Sequence, residues 1–258
     1  MAELSLRKLP RCRGRLRFVA LAALFAAGTG CAEGERLSAD QVLDSMMSAV
    51  ASGRSRNAIQ SLTTTAECSG PDGDFETTVT SIRPDTVYFR QASGRGITEI
   101  WTTAERTWGG AAGEEYESLT PQVRDFVRGH EFHLMVIDVK DRFSGFELVG
   151  PERAEDADCI RISMKDEAGA DASVCVRTDN WLPAEMQLNP GSAAGPVRIV
   201  FDDWRMSDGL NAFHAIELTE DPDRVFSYEY VDISVNTFGV EMRVPPPNLP
   251  RVQRGEPE

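Results

Sequence analysis

Short stretches of strand-forming composition recur along most of the chain, and this succession limits the possible fold more than any other feature. Each stretch is bounded by Gly, Pro, Asn or Asp, which favour turns. Residues 59–68 and 75–82, for example, flank the turn-forming residues 69–73 and are typical of a β-hairpin. About eleven such strands in near-sequential hairpins predict one large antiparallel sheet, which must curl.

Two amphipathic helices accompany the predicted strands. The first begins at the N-cap Ser38, has Gln41 three residues later as in a capping box, and ends at Gly53. The second has Thr120 as its N-cap and Pro121 at its first position. Their apolar stripes follow helical spacing and comprise Leu43, Met46, Met47 and Val50 in the first helix and Val123, Phe126 and Val127 in the second.

The two apolar stripes need an apolar surface, and the concave face of a curled sheet supplies one. The sequence therefore predicts a mainly β fold of the α+β class, an antiparallel half-barrel with a helical lid on its concave face. The interior of such an incomplete barrel is lined by the apolar half of each strand. A cavity of this kind suits a hydrophobic ligand.

The first 30 residues have the organisation of a secretory signal peptide. A head with six basic residues and one acidic residue precedes an uncharged apolar run at 18–27, which is too short to span a bilayer as a helix. The next residues are Gly28-Thr29-Gly30-Cys31, and bacterial lipoprotein precursors are diacylated and cut at such a cysteine. Lipid attachment at Cys31 is one interpretation. Ordinary cleavage nearby is the other, since Gly28 occupies a position where lipoprotein signals prefer Leu, Val or Ile.

These boundaries predict a signal peptide at 1–30, a tether at 31–36, the half-barrel domain at 37–245 and a disordered Pro-rich tail at 246–258. The formal net charge is −14, and it becomes −19 when residues 1–30 are removed. So acidic a body repels phosphate backbones and anionic lipid surfaces, which argues against nucleic-acid binding and against a basic membrane-binding patch. Any attachment to a membrane is then through acyl chains on Cys31.

Three cysteines remain once Cys12 and Cys31 are assigned to the signal peptide and its end. Cys159 and Cys175 lie on the polar, arginine-bearing sides of two predicted strands, and an exported protein meets oxidising conditions. A disulfide between Cys159 and Cys175 is predicted if the strand register brings them within reach. Cys68 is then an unpaired, buried thiol.

Candidates for catalysis or metal binding are few. His130 and His133 are three residues apart, but the segment lacks the spacing of a zinc metalloprotease motif and a third ligand, so we expect a solvated helix end. His214 is expected to be a hydrogen-bonded strand residue. Asp202 and Asp203 are strand neighbours, whose side chains point to opposite faces. We therefore expect no catalytic residues, no metal and no other cofactor.

Aromatic residues fall on several predicted strands and on the second helix. They have two interpretations, a packed core or the lining of a groove that binds acyl chains. On the second interpretation the ligand-binding residues combine these aromatics with the stripe of the first helix, and they are Met46, Val50, Phe89, Trp101, Trp108, Phe126, Phe201 and Tyr228.

Several segments resemble stretches of the LolA/LolB superfamily of periplasmic lipoprotein carriers. The most specific of them contains Ile82-Arg83-Pro84-Asp85 and continues through an aromatic pair to Trp108. Others are similar to a turn and to the closing strands of that family, at 178–183, 197–204, 208–210 and 228–236. The likeness spans residues 37–245 and departs from the family at Thr103-Ala104-Glu105, where many relatives have an Asp-Gly turn.

The resemblance implies an eleven-stranded half-barrel with a helical lid that holds lipid acyl chains. It also implies that Arg83, which matches the arginine of the family's Arg-Pro segment, helps to hold the lid closed. The leading hypothesis is a monomeric carrier on the periplasmic side of the envelope, in the outer membrane where the host has one. It is anchored through Cys31 and binds an acylated lipoprotein or a lipid.

The alternative is an envelope scaffold or sensor lipoprotein that binds a partner protein and has a packed interior. The two hypotheses differ in what lies beneath the helices. A continuous apolar cavity there favours the carrier, whereas side chains that fill the space favour the scaffold.

Overall fold

The computed structural model describes residues 37–154, 157–189, 196–207 and 209–237, which form five helices and thirteen strands. Helices α1 to α5 span Ala39–Val50, Gly53–Ala58, Pro121–Gly129, Phe132–Ile137 and Val139–Arg142. Strands β1 to β6 span Ser61–Ser69, Phe75–Ile82, Thr86–Ser93, Gly96–Thr102, Thr107–Ala111 and Glu117–Ser118. Strands β7 to β13 span Ser144–Ala154, Ala157–Lys165, Asp171–Arg177, Pro183–Leu188, Val197–Ser207, Leu210–Asp221 and Arg224–Val235.

These thirteen strands form one unclosed antiparallel sheet with β6 and β7 at its edges. The chain runs outward from β1 to β6, passes through α3, α4 and α5 to the other edge, and returns strand by strand from β7 to β13. β13 then pairs with β1, with Leu62 opposite Val235 and Cys68 opposite Tyr228. We call β1–β6 the first arm, β7–β13 the second arm, and the sheet face that carries the helices the inner face.

The start of α1 is fixed by a capping box. Ser38 Oγ accepts a hydrogen bond from Gln41 N, and Gln41 Oε1 accepts one from Ser38 N, as the sequence predicts. The helix ends before Gly53, because Ser52 caps a separate helix by accepting a hydrogen bond from Ser55 N. Gly53 is therefore the first residue of α2 and not the end of α1.

The main core lies between the inner face and the helices α1, α4 and α5. Met46 of α1 is 0% exposed, and all six residues of α4 are buried. Full burial of one large apolar side chain contributes about 1.5–3 kcal/mol, so this layer stabilises the domain strongly. A smaller second core lies beneath α3 and consists of Val79, Val87, Phe89, Ile100 and Val127.

The predicted fold class is confirmed, with differences in the number of elements. The described residues contain thirteen strands where about eleven were predicted, partly because the two-residue β6 is too short to show an alternating pattern. Three helices were not predicted. α2 has no buried face, α4 is a continuous apolar run without helical periodicity, and α5 is a single turn.

The predicted signal peptide, the tether with Cys31 and the Pro-rich tail lie outside the described residues. So do residues 238–245 of the predicted domain. Within the described ranges, no helix has the length and hydropathy that a bilayer crossing requires.

Candidate ligand-binding groove

An open apolar cavity of about 620 Å³ lies between α3 and the inner face, which we call the groove. Its walls come from α3, from the start of α4, from β2 and β3 of the first arm, and from β10–β13 of the second arm. This volume falls in the range of roughly 300–1,000 Å³ that is usual for ligand sites. Its apolar lining consists of Phe75, Phe126, Phe132, Leu188, Val197, Ile199, Leu218, Phe226 and Tyr228.

A second cavity, of about 280 Å³, adjoins the groove. Asp125, Gly129 and Leu188 line both spaces, so the two cavities share part of their wall at the C-terminal half of α3. A Cβ atom added to Gly129 would meet no other atom within 4 Å. The helix surface is therefore bare at the point where the two cavities meet.

Helix α3 is fastened to the first arm. Val127 is buried in the second core, and Arg124 Nη1 donates a hydrogen bond of 2.6 Å to a backbone carbonyl in the loop between β4 and β5. Phe126 is 49% exposed and lines the groove. Its ring centroid lies 5.7 Å from that of Phe89 and 4.3 Å from that of His130. The helix thus rests on one arm and presents an aromatic ring to the open space.

The basic side chains that line the openings of the groove and of the second cavity form ion pairs. Arg224 Nε lies 3.0 Å from Glu220 Oε2 at the groove. At the second cavity, Arg142 Nη2 lies 2.8 Å from Glu131 Oε2, and Arg128 Nε approaches the same oxygen at 3.7 Å. Each of these three guanidinium groups therefore already faces a carboxylate.

The groove contains two of the eight predicted ligand-binding residues, Phe126 and Tyr228. Phe89 lies just beneath α3, in contact with Phe126. The remaining apolar lining was not among the predicted ligand-binding residues. The sequence did contain a signal for them, because along each predicted strand every second residue faces the inner side of the sheet. The lining residues at such positions include Leu188, Val197, Ile199, Leu218 and Phe226.

Met46, Val50 and Phe201 belong to the main core and do not line the groove. All three are at most 2% exposed. Helix α1, which carries Met46 and Val50, is therefore an integral core element, and the helical walls of the open space are α3 and the start of α4.

Trp101 and Trp108 lie on the outer face of the sheet. The register of β3 and β4 pairs Phe89 with Ile100 and Tyr88 with Trp101, whose ring centroids are 4.7 Å apart. Trp108 lies opposite Trp101 in β5. Because neighbouring residues of a strand face opposite sides and Phe89 faces α3, both tryptophans point away from the groove.

His130 and His133 do not form the solvated helix end that was predicted for them. His133 is buried, stacks on Phe213 at 3.8 Å and donates from Nε2 to the Phe213 carbonyl oxygen at 3.0 Å. Burial lowers the pKa of His133 to about 3. His130 lines the groove with Nδ1 2.8 Å from the Phe126 carbonyl oxygen, and burial lowers its pKa as well. His214 is hydrogen-bonded within the sheet, as predicted.

Arg83 connects the turn after β2 with two helical segments. Its Nη2 lies 2.6 and 2.7 Å from the carboxylate oxygens of Asp138, the residue between α4 and α5. Its Nη1 donates a hydrogen bond of 3.1 Å to the carbonyl oxygen of Arg56 in α2. Burial raises the pKa of Asp138, and the Arg83 guanidinium acts in the opposite direction. The contacts of Arg83 are thus with α2 and with the α4–α5 junction.

Cys159 and Cys175 are joined by a disulfide, with Cα atoms 5.5 Å apart. The register of β8 and β9 places Arg161 opposite Cys175, so the two cysteines are diagonal neighbours and not directly opposed. Cys68 is unpaired and buried, and burial raises the pKa of its thiol to about 11.

The paired aspartates do not form a shared acidic site. Asp203 has a positive φ of 51° and binds Arg205, with Arg205 Nε 2.9 Å from Asp203 Oδ1. Asp202 Oδ1 accepts a hydrogen bond from the backbone N–H of Asp203. Across the part of the chain that the structure describes, no three His, Cys, Asp or Glu side chains are grouped as metal ligands.

No protein-family model matches the chain, and no curated protein matches it. Its fold is similar to that of a LolA superfamily protein from Nitrosomonas europaea, with a TM-score of 0.58, 10% identity, and coverage of 81% of this chain and 99% of that one. A DUF1329 family protein from Desulfovibrio piger gives a TM-score of 0.54 and 11% identity over 77% and 93% of the two chains. The chain therefore has the fold of the LolA superfamily, as the sequence resemblance predicts.

Proposed function

We propose that the protein is an envelope carrier that holds an acyl chain of a lipoprotein or of a lipid in the groove. The open apolar space between α3 and the inner face carries this proposal, because a carrier needs such a space and a scaffold with a packed interior does not. The filled part of the interior lies beneath α1, α4 and α5. The proposal assigns no catalytic step to the protein.

An acyl chain in the groove would lie against aromatic and aliphatic side chains from both arms. Phe75 of the first arm packs edge-to-face with Tyr228 and Phe226 of the second, with centroids 6.0 and 6.5 Å apart. Each buried methylene contributes about 0.8 kcal/mol, so ten of them provide about 8 kcal/mol before the cost of immobilising the ligand. The groove thus suits a long unbranched chain.

The proposal also assigns roles to two residues outside the groove. Cys31 carries the acyl anchor that keeps the protein on the periplasmic side of the envelope, in the outer membrane where the host has one. Arg83 acts as a latch, because it ties α2 and the α4–α5 junction to the sheet. The protein would act as a monomer, with the acylated lipoprotein or lipid as its partner.

The experiment that tests the groove replaces Gly129 by Phe. Gly129 lines the groove, and a Cβ atom added there meets no other atom within 4 Å, so an aromatic side chain at this position is expected to take up ligand space. If it displaces two methylenes of the ligand, binding weakens about tenfold. The measurement is titration of the delipidated protein with a monoacylglycerol that carries a fluorescent acyl chain.

Gly53→Phe is the matched control. Gly53 is also a helical glycine with no atom within 4 Å of an added Cβ, but it does not line the groove. We expect the Gly53→Phe variant to bind like the wild type. Equal binding by the Gly129→Phe variant, or no binding by the wild type, would contradict the proposed function.

A further inference from the structure

The two openings carry an excess of negative charge. Four carboxylates line the groove and the second cavity, from Asp125, Asp166, Glu167 and Glu220, against three guanidinium groups, from Arg128, Arg142 and Arg224. The buried carboxylate of Glu131 stands behind two of those arginines and is bonded to them. At both openings the carboxylates therefore outnumber the guanidinium groups.

Two of the carboxylates have no partner. Among the described residues, Asp125 and Glu167 are exposed and make no side-chain hydrogen bond or ion pair, whereas Asp166 accepts a hydrogen bond from Ala170 N and Glu220 is paired with Arg224. Asp125 lines both cavities. Its charge therefore lies close to a headgroup at either opening.

We propose that the groove selects acylated ligands whose headgroup is neutral or cationic and discriminates against free fatty acids and other anionic amphiphiles. This inference rests on the proposed function. The acyl chain occupies the apolar space, while the headgroup stays at an opening, where it meets the unpaired carboxylate of Asp125. At separations near 4 Å in water, repulsion between two like charges weakens binding about fivefold.

The ligands that test this inference share one chain and differ only in headgroup. A fatty alcohol, an alkyl trimethylammonium ion and a fatty acid of equal chain length compete, below their micelle concentrations, with a fluorescent monoacylglycerol. At pH 8 the acid is ionised. At 0.02 M salt we expect the acid to compete about fivefold less well than the alcohol, and the cation at least as well as the alcohol. At 0.5 M salt the differences should shrink, because the charges are screened.

Asp125→Asn locates the source of the selectivity. We expect this variant to bind the fatty acid nearly as well as the alcohol, so that the ratio of the two affinities approaches one. Asp179→Asn is the control, since Asp179 is an exposed aspartate in the turn before β10, at the strand end opposite to Leu188. The Asp179→Asn variant should keep the wild-type order of affinities, in which the fatty acid binds less tightly than the alcohol.

Two results would overturn the inference. One is a wild type that binds the fatty acid as tightly as the alcohol at low salt, and the other is an Asp125→Asn variant with unchanged selectivity. Both presuppose that the monoacylglycerol probe binds. If the probe itself fails to bind, the proposed function fails instead, so the two failures are distinguishable.

Discussion

At the scale of single residues, the main core contains a base whose charged form it does not accommodate. His133 stacks on Phe213 and donates a hydrogen bond from Nε2 to a carbonyl oxygen. Its ring is buried, so the positive charge of the protonated form would lose its hydration. Burial lowers its pKa to about 3, whereas an unfolded histidine titrates near 6.5. Protons therefore bind the unfolded chain more tightly than the folded one at this position.

The resulting prediction concerns the pH dependence of stability. Because the folded-state pKa is depressed, the contribution of His133 is complete above about pH 6.5 and is lost as the pH falls toward about 3. At pH 5 this one group lowers the free energy of unfolding by about 2 kcal/mol relative to pH 8. Urea denaturation at both pH values measures the difference in the wild type and in a His133→Gln variant.

The readout is the change between pH 8 and pH 5, so a general loss of stability in the variant does not obscure it. We expect the decrease to be smaller in the His133→Gln variant by about 2 kcal/mol. An equal decrease in both proteins would show that His133 does not titrate as its burial implies.

At the scale of elements, the helices on the inner face have two different attachments. Helices α1 and α4 are fixed by buried side chains, whereas α2, which buries none of its residues, and the junction between α4 and α5 are hydrogen-bonded to the guanidinium of Arg83. The side chain of Asp138 is only 13% exposed, so loss of its partner would leave a largely buried carboxylate unpaired.

Arg83→Leu should therefore loosen α2 and the α4–α5 junction. We expect faster amide hydrogen exchange in α2 and around Asp138, by a factor that corresponds to about 1–3 kcal/mol for charge-assisted hydrogen bonds, with little change in α1. Arg95→Leu serves as the control, because Arg95 is 81% exposed and lies 3.8 Å from an exposed aspartate. Unchanged protection of α2 and the α4–α5 junction in the Arg83→Leu variant would exclude the latch.

The parts of the structure that depend on local signals could be predicted from the sequence. The capping box at Ser38 and the hairpin turn at 69–73 are set by neighbours in the chain, and both are present. The faces of Trp101 and Trp108 could not be predicted, because they depend on which residue of β3 lies opposite Trp101. The apolar run of α4 was equally ambiguous, since it is buried all round and has no period.

At the scale of the whole molecule, charge opposes contact with the membrane surface. The chain without residues 1–30 has a formal charge of −19, and anionic lipids repel such a body. A carrier that works at a membrane then needs a covalent anchor, and stable anchoring takes more than one acyl chain.

Cys31→Ser should consequently move the protein from the membrane to the soluble fraction. Cell fractionation of the wild type and the variant measures this, and mass spectrometry of the mature wild-type N-terminus should find a diacylated Cys31. A wild type that is already soluble and begins after Cys31 would contradict the anchor. The Gly53→Phe variant, which keeps the cysteine, should remain with the membrane.

The pairing of β1 with β13 determines when the sheet can be completed. Among the strands of the described residues, β1 is the first and β13 is the last, yet they are neighbours at the centre of the sheet. A chain that is synthesised in sequence order therefore leaves β1 with an open edge until β13 arrives. Such long-range pairing is slow, and open strand edges promote aggregation. Loss of β13 alone would separate the arms and expose two edges, so β13 is the strand whose arrival joins two half-sheets into one.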